Sequence, residues 1–445
     1  MLEKSKIDGQ SSLFFSLEST LNHKHPLFLA HKVDWDIFEK AFSPLCCLDN
    51  GRPAKPIRLM VGLLILKHVR NLSDESVVEQ WSENIYYQYF YGGQELFPSE
   101  PCAASELVHF RHCIGEEGIE LILKESIRIN GKDGEDKDVY FNTTVQEKNI
   151  TFPADDKLAK KIINKCLRIA DENDLTLCQT YTRTLKRLSC DQHFRNHPKN
   201  KGKARKADKK VKTIAGRHVR DEERKLGEEV PVYKEILELF KRVLVQKRND
   251  TNKIYSLHEP EVCCISKGKE HKLYEFGNKV SKGWTAKGVI VGALGFRNEY
   301  DGHTLDKSIE QVERVRERAP ENGIGDRGYR GRSKVRTTII HIPKPFSRNL
   351  SAYMQRKEKK YFRKHAVIES VIGHLKADHR LSRDFYKGIF GDNINILLAA
   401  AGFNFRRRMN KWKASFLTCL EQVFRVIIMI PNLVAIDNNS RNNSK

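Results

Sequence analysis

The stretch Asp138-Val-Tyr-Phe-Asn-Thr-Thr-Val145 constrains this chain more than any other. Val139, Tyr140, Phe141, Thr143, Thr144 and Val145 are β-branched or aromatic, so the segment reads as a short buried strand. Asn142 interrupts it. A strand that lifts one polar side chain out of an apolar sheet presents that side chain to a site, and Asn142 is the first candidate functional residue. Carboxylates are presented in the same way in two other stretches, Gly325-Asp326-Arg-Gly-Tyr329 and Ala366-Val-Ile-Glu369.

The elements around that strand divide the chain. Its 445 residues can bury a large core and fit two or three domains. Residues 1–131 read as helical. Pro56 opens a helix whose run from Ile57 to Val69 is apolar almost all round and therefore buried. Asn71-Leu-Ser73 ends it, Ser73 caps a second helix, and Asp74 and Glu75 suit that helix's positive end. A tight polar turn between two helices fits a helix-turn-helix and fits a plain helical domain equally well. Two more helices follow, one from Ser105 through Ile114 and one carrying Ile119 to Leu123. Residues 132–410 hold the strand, and within them 155–250 reads as a helical insertion with a basic edge. From Glu261 the texture becomes β, with short strands at 262–265, 272–276, 288–293 and 337–342. Helices are expected over 306–318, 352–376 and 389–405. Residues 411–445 read as a terminal helix and a disordered tail.

Charge narrows the partners. Lys and Arg number 79 against 57 acids, a formal net charge of +22. Such an excess attracts polyanions, nucleic acid first. The basic run includes Lys203, Arg205, Lys206, Lys209 and Lys210, which read as phosphate contacts on the insertion. No stretch has the length and hydropathy of a membrane span or secretory leader, so a cytoplasmic, nucleoid-associated protein is expected. The ten cysteines form no CxxC pair and read as reduced thiols.

The chemistry lies with the acids. Asp326 sits where a strand meets a glycine turn, and Glu369 sits on a helix. Lys376, seven residues on, lies on the same helix face as Glu369. A carboxylate and a lysine on one helix face, opposite a strand-end Asp, suit a site for Mg²⁺ and phosphate, because hard divalent cations take carboxylate oxygens. Taken singly, each acid reads equally as a helix cap or ion-pair partner. Two weaker groupings are Cys190-x2-His193-x3-His197, with zinc-ligand types but only three members, and His303, which reads as a turn-stabilising residue.

At this point the residues meet a known family. The chain resembles bacterial insertion-sequence transposases of the DDE type, specifically the IS-five group, from about Trp35 to Arg408. The matching stretches include Gly51-Arg-Pro-Ala-Lys-Pro-Ile-Arg-Leu-Met60, Thr143-Thr-Val-Gln-Glu-Lys-Asn-Ile-Thr-Phe-Pro153 and Lys253-Ile-Tyr-Ser-Leu-His-Glu-Pro-Glu261. Further matches are Tyr300-Asp-Gly-His-Thr-Leu305, Asp326-Arg-Gly-Tyr-Arg-Gly331 and Ile372-Gly-His-Leu-Lys376. The resemblance implies an α/β fold: an RNase H-like mixed-sheet catalytic core, an N-terminal α-helical domain that binds DNA ends, and the basic helical insertion. It implies an Asp-Asp-Glu triad binding two Mg²⁺ ions, or Mn²⁺, that cuts and joins DNA at terminal inverted repeats and target DNA, in a homodimeric synaptic complex. Asp326 and Glu369 fall on the second and third acids. Lys376 falls on the family's DNA-phosphate contact, and Arg327, Arg363 and His365 are assigned to DNA with it.

Asn142 departs from the pattern, since it stands at the first Asp. Its amide oxygen can touch a cation but carries no charge, so impaired catalysis is expected. Asp138, about 13 Å back along the strand, is a poor substitute. His365 stands where the family has Arg, and Ser370 where Pro is usual. Two functions compete: a transposase weakened at Asn142, and a DNA-binding derivative without chemistry that occupies transposon ends or represses transposition.

Overall fold

The structure, a computed structural model, describes residues 17–46, 53–93, 95–226, 231–247, 249–269, 272–343 and 351–414. Of the terminal helix and tail expected at 411–445, residues 411–414 are helical and the rest lies outside the described residues. The helices are α1 (Leu17–Thr20), α2 (Trp35–Phe42), α3 (Ile57–Arg70), α4 (Asp74–Glu83), α5 (Ile85–Tyr91), α6 (Ala104–Arg128), α7 (Asp155–Glu172), α8 (Thr182–Asp191), α9 (Pro198–Leu226), α10 (Pro231–Val245), α11 (Asp301–Arg316), α12 (Ala352–Ala366) and α13 (Ile368–Asp378). A last helix, α14, covers 388–414. The strands are β1 (Asp138–Lys148), β2 (Cys263–Lys269), β3 (Lys272–Thr285), β4 (Ile290–Phe296), β5 (Asn322–Ile324), β6 (Lys334–Val335), β7 (Thr338–His341) and β8 (Arg383–Asp384). The expected α/β class holds. Among the described residues no helix is long and apolar enough to cross a membrane.

The chain divides into two compact units, one of residues 1–146 with 279–445, the other of residues 147–278. In the first unit, α3 is buried along nearly its whole length. It ends at Asn71, whose left-handed backbone (φ 60°) closes the last turn. The Ser73 hydroxyl then caps α4 by accepting from the Ser76 amide at 3.0 Å. Asp74 does more than face a helix dipole. Its carboxylate accepts from Lys67 Nζ at 2.8 Å and from both Arg111 terminal nitrogens at 2.7 and 2.9 Å. Lys67 also donates to the Tyr386 hydroxyl at 2.7 Å. The two helices expected between 105 and 123 are both present within the span of α6, separated at Gly115, whose non-helical backbone (φ 65°) few other residues adopt.

The sheet of this unit runs β4–β3–β1–β5–β7–β6, and β8 pairs with β1. β1, β5 and β7 are parallel: Asp138 pairs with Asn322 and Asn322 with Ile339, through to Tyr140, Ile324 and His341. β3 and β4 are antiparallel. α11 crosses from β4 to β5 and lies close on the sheet. A Cβ at Gly292 would stand 2.6 Å from Val312 Cγ2, so glycine there is a requirement of packing. Three expectations are corrected. β1 continues past Val145 to Lys148. The single helix expected over 352–376 is two, broken at Val367. α11 begins at Asp301, so His303 lies in a helix's first turn and not in a loop turn.

The second unit has its own core, built by α7, α9 and α10 from Leu158, Ile162, Ile163, Val211, Ile214, Ala215 and Phe240. Glu222 is fully buried beneath it, beside the Cys166 thiol. Burial pushes its carboxyl up to about 7; contact with Cys166 opposes this and nearby Asp221 adds to it.

Two tests follow from this packing. Asp74→Ala leaves Lys67 and Arg111 buried without their counter-ion, so urea unfolding should show a loss of about 3–5 kcal/mol. Arg314→Ala, which breaks a pair between exposed Arg314 and half-buried Glu120, should cost less, about 1 kcal/mol. At Glu222 the folded-state value lies above the usual 4.5. Its stabilising share is therefore complete below about pH 4.5 and is lost as pH rises through about 7. Glu222→Gln should match the parent's melting temperature at pH 4.5 and exceed it at pH 8. Equal melting curves at pH 8 would show that the carboxyl does not resist ionisation.

Candidate functional site

The site begins at the parallel pair β1 and β5. The last registered partners are Tyr140 and Ile324. Asn142 continues β1 two residues beyond them, and Asp326 lies two residues beyond the end of β5, in the loop that leaves the neighbouring strand. Around them β1 is fully buried at Val139, Tyr140 and Phe141, while Asn142 and Thr143 are half-exposed. Asp326 follows the end of β5 and caps a single 3-10 turn, Arg327–Tyr329, its Oδ1 accepting from the Gly328 amide at 2.8 Å. Its carboxylate is thus fixed in direction by the backbone it caps.

A second carboxylate shares this place, and it was not singled out from the sequence. Asp301, the first residue of α11, accepts from the Thr143 hydroxyl at 3.1 Å and pairs with Lys279 Nζ at 2.9 Å. Its Oδ2 and Asp326 Oδ1 both lie 2.9 Å from the point a Cβ on Gly328 would occupy. The two carboxylates therefore face each other across Gly328. Tyr329 is buried behind them, and burial, then Asp301, push its hydroxyl well above the usual tyrosine range. No local signal marked Asp301, because the helix it opens was expected to begin only at Asp306.

The third stretch arrives through α12. His365, in its last turn, hydrogen-bonds through Nε2 to the carbonyl of Phe141 at 3.1 Å, directly before Asn142. The break at Val367 follows, and Glu369 lies exposed in the first turn of α13. Val371 and Leu375 anchor that helix on its buried side. Lys376 is half-buried one face-repeat beyond Glu369, and Arg327 and Arg363 are exposed. Lys203, Arg205, Lys206, Lys209 and Lys210 all lie exposed on α9, in the second unit. Lys203 pairs with Asp191 at 2.9 Å. Cys190 closes α8, while His193 and His197 lie in the turn that follows, where the His193 ring packs on Phe194.

Two divalent cations call for a compact set of carboxylate oxygens. Among the described residues no group of three or more His, Cys, Asp or Glu side chains gathers as a metal site. Asp326 is held by its cap bond to the Gly328 amide, Asn142 brings no charge, and Asp301 is already paired with Lys279. The residues present do not make the full acidic set that two Mg²⁺ ions need.

Comparison with known proteins adds two findings. Residues 15–113 match a family model described as a transposase domain (DUF772), which ends just before the Gly115 bend. The chain is also 39% identical over 188 residues to a Rhizobium meliloti protein described as uncharacterized protein ORF8 in the nfe locus, a match covering 41% of this chain and 90% of that protein. This chain belongs to that protein's family. With its N-terminal transposase domain it is a transposase-like protein. No solved structure matches it.

The Gly328 contact gives a direct test of the site's geometry. Gly328→Ala places a methyl 2.9 Å from both the Asp301 and the Asp326 oxygens, so one carboxylate must move. An overpacking loss of about 1–3 kcal/mol is expected in urea unfolding. A variant as stable as the parent would show that the two carboxylates do not converge there.

Proposed function

We propose that this protein is an insertion-sequence transposase of the DDE type that binds terminal inverted repeats and whose cutting and strand-transfer chemistry is impaired at Asn142. The carrying observation is the parallel pairing of β1 with β5, which puts Asn142 on one strand and Asp326 in the turn just past the end of its neighbour, with α12, the helix before Glu369, tied to β1 through His365. The matched transposase domain supports the general reading. A mixed sheet with three parallel strands and an antiparallel β3–β4 pair supports an RNase H-like core.

In this reading DNA is the partner. Its scissile phosphate lies between the Asp326 turn and α13, with Lys376, Arg327, Arg363 and His365 neutralising neighbouring phosphates. His365 can also hold the Phe141 carbonyl in place, and so fixes the strand that carries Asn142. The exposed cations of α9 add a sequence-independent attraction. A homodimer on paired ends fits the family that the sequence resembles. The alternative, a repressor without chemistry, draws on the same Asn142. It differs only in whether the remaining groups suffice for slow cleavage.

Asn142→Asp separates the two. The variant should cleave inverted-repeat DNA in Mg²⁺ at least about 100-fold faster than the parent, above the 10–100-fold that neighbours of metal ligands typically control. It should also gain a Mg²⁺-dependent rise in melting temperature that the parent lacks. Equal cleavage and equal Mg²⁺ response in both proteins would remove Asn142 from the site.

A further inference from the structure

We infer that the second unit carries a cleft for the nucleic-acid backbone, between α9 and α10 and built apart from the Asn142 site. The inference rests on DNA being the partner and names where and how one contact is made. The cleft is about 620 Å³, and its walls are Lys209, Lys212, Thr213, Gly216 and Arg220 of α9 with Lys241, Leu244 and Val245 of α10, over Val219. Its lining holds four cations and no acid. Among the described residues Lys209, Lys212 and Arg220 have no carboxylate partner, while Lys241 pairs with Glu223 at the rim.

The cleft is open because of Gly216. A Cβ there would meet only the end of the Arg220 guanidinium, at 3.3 Å. Glycine in the middle of a 29-residue helix costs helical stability, and here it leaves room between the two helices. The apolar part of the lining, Val219, Leu244 and Val245, is aliphatic. No aromatic ring lines the cleft, so it offers bases nothing to stack on.

The cations extend beyond the cleft. Lys201, Arg205, Lys206, Lys209, Lys212 and Arg220 are all exposed on the side of α9 away from its buried face, which carries Ala204, Ala207, Val211, Ile214 and His218. At ~1.5 Å per residue, Lys201 to Arg220 spans about 28 Å. A single small anion needs one end of such a stripe. A strand of phosphates, with one charge per ~1.7 Å of duplex axis, matches its length. Cations without stacking groups or buried polar donors read phosphates and not bases, so binding here is independent of sequence.

The test uses the full chain and fluorescently labelled duplexes of inverted-repeat and scrambled sequence, read by anisotropy across a salt series. Lys212→Ala/Arg220→Ala/Lys241→Ala should weaken binding to the scrambled duplex by about tenfold or more. Its plot of log affinity against log salt should be shallower by about 2–3, near 0.9 per lost phosphate contact. Gly216→Phe keeps every charge and fills the cleft, and should weaken the scrambled duplex several-fold with an unchanged circular dichroism spectrum. Parental affinity and slope in both variants, with the parent binding DNA, would overturn the cleft and leave the DNA reading standing. A parent that binds no duplex would overturn both. Poly-glutamate displacing the scrambled duplex as well as unlabelled DNA at equal charge would assign the cleft to an acidic protein segment and overturn the inference.

Discussion

Parallel pairing of β1 with β5 sets the position of everything else at the site. The side-chain period of a strand is two, so a slip of one residue would send Asn142 or Asp326 to the opposite face. The pairing of Asp138, Val139 and Tyr140 with Asn322, Gly323 and Ile324 fixes the register. Parallel neighbours require a crossover, and here it includes the whole second unit, β3, β4 and α11. Loop-closure entropy grows only with the logarithm of length, so a compact insertion with its own core costs the pairing little. The crossover also delivers Asp301: the helix that returns the chain from β4 to β5 starts beside Thr143, and its first residue turns back to the Asp326 loop.

The N-terminal helices depend on a different interaction. Lys67 is buried almost completely, and burial lowers its ammonium to about 8 while Asp74 opposes the shift. Burial raises Asp74 in turn, but the Arg111 hydrogen bonds and Lys67 outweigh it and hold the carboxylate below its usual range. A buried ion cluster is weak evidence for stability, since apolar residues of similar volume can do as well. Its geometry is what apolar contacts lack. The forked Arg111–Asp74 bond, the Lys67–Tyr386 bond and the Arg111 guanidinium 4.6 Å over the Tyr386 ring leave α3, α4, α6 and the segment before α14 one arrangement.

Much of this was legible because periodicity records burial. The all-round apolar run from Ile57 to Val69 announced a buried helix, and Ser73 announced its successor's cap. The β-branched run after Asp138 announced β1. What stayed hidden depends on partners distant in sequence. Asp74 looked like a dipole residue because Arg111 lies a helix away. Asp301 passed unnoticed because its importance comes from Thr143, Lys279 and Gly328, none of them near it in sequence. The break at Val367 left no Pro or Gly signal. The end of β1 was misplaced because the residues after Val145, Gln146 and Lys148, are polar yet buried, and pattern reading takes polarity for exposure.

Asn142 acquires a physical meaning from this arrangement. Carboxylates held close together repel, and the repulsion is relieved only when a cation or a proton arrives. Asp301 and Asp326 already meet across Gly328, and the chain answers with Lys279 on Asp301. A third charge at position 142 would have no such answer in the cation-free protein. The amide removes that charge while keeping nearly the same shape, so the strand, its register and the His365 contact to Phe141 need not change. In the proposed transposase, an amide at position 142 would spare the folded state that repulsion, in the manner of the exchange of activity for stability common at catalytic sites. It leaves the cations of α9 and α13 untouched. On that proposal the chain keeps the basic surfaces that attract a polyanion and lacks a charge at position 142.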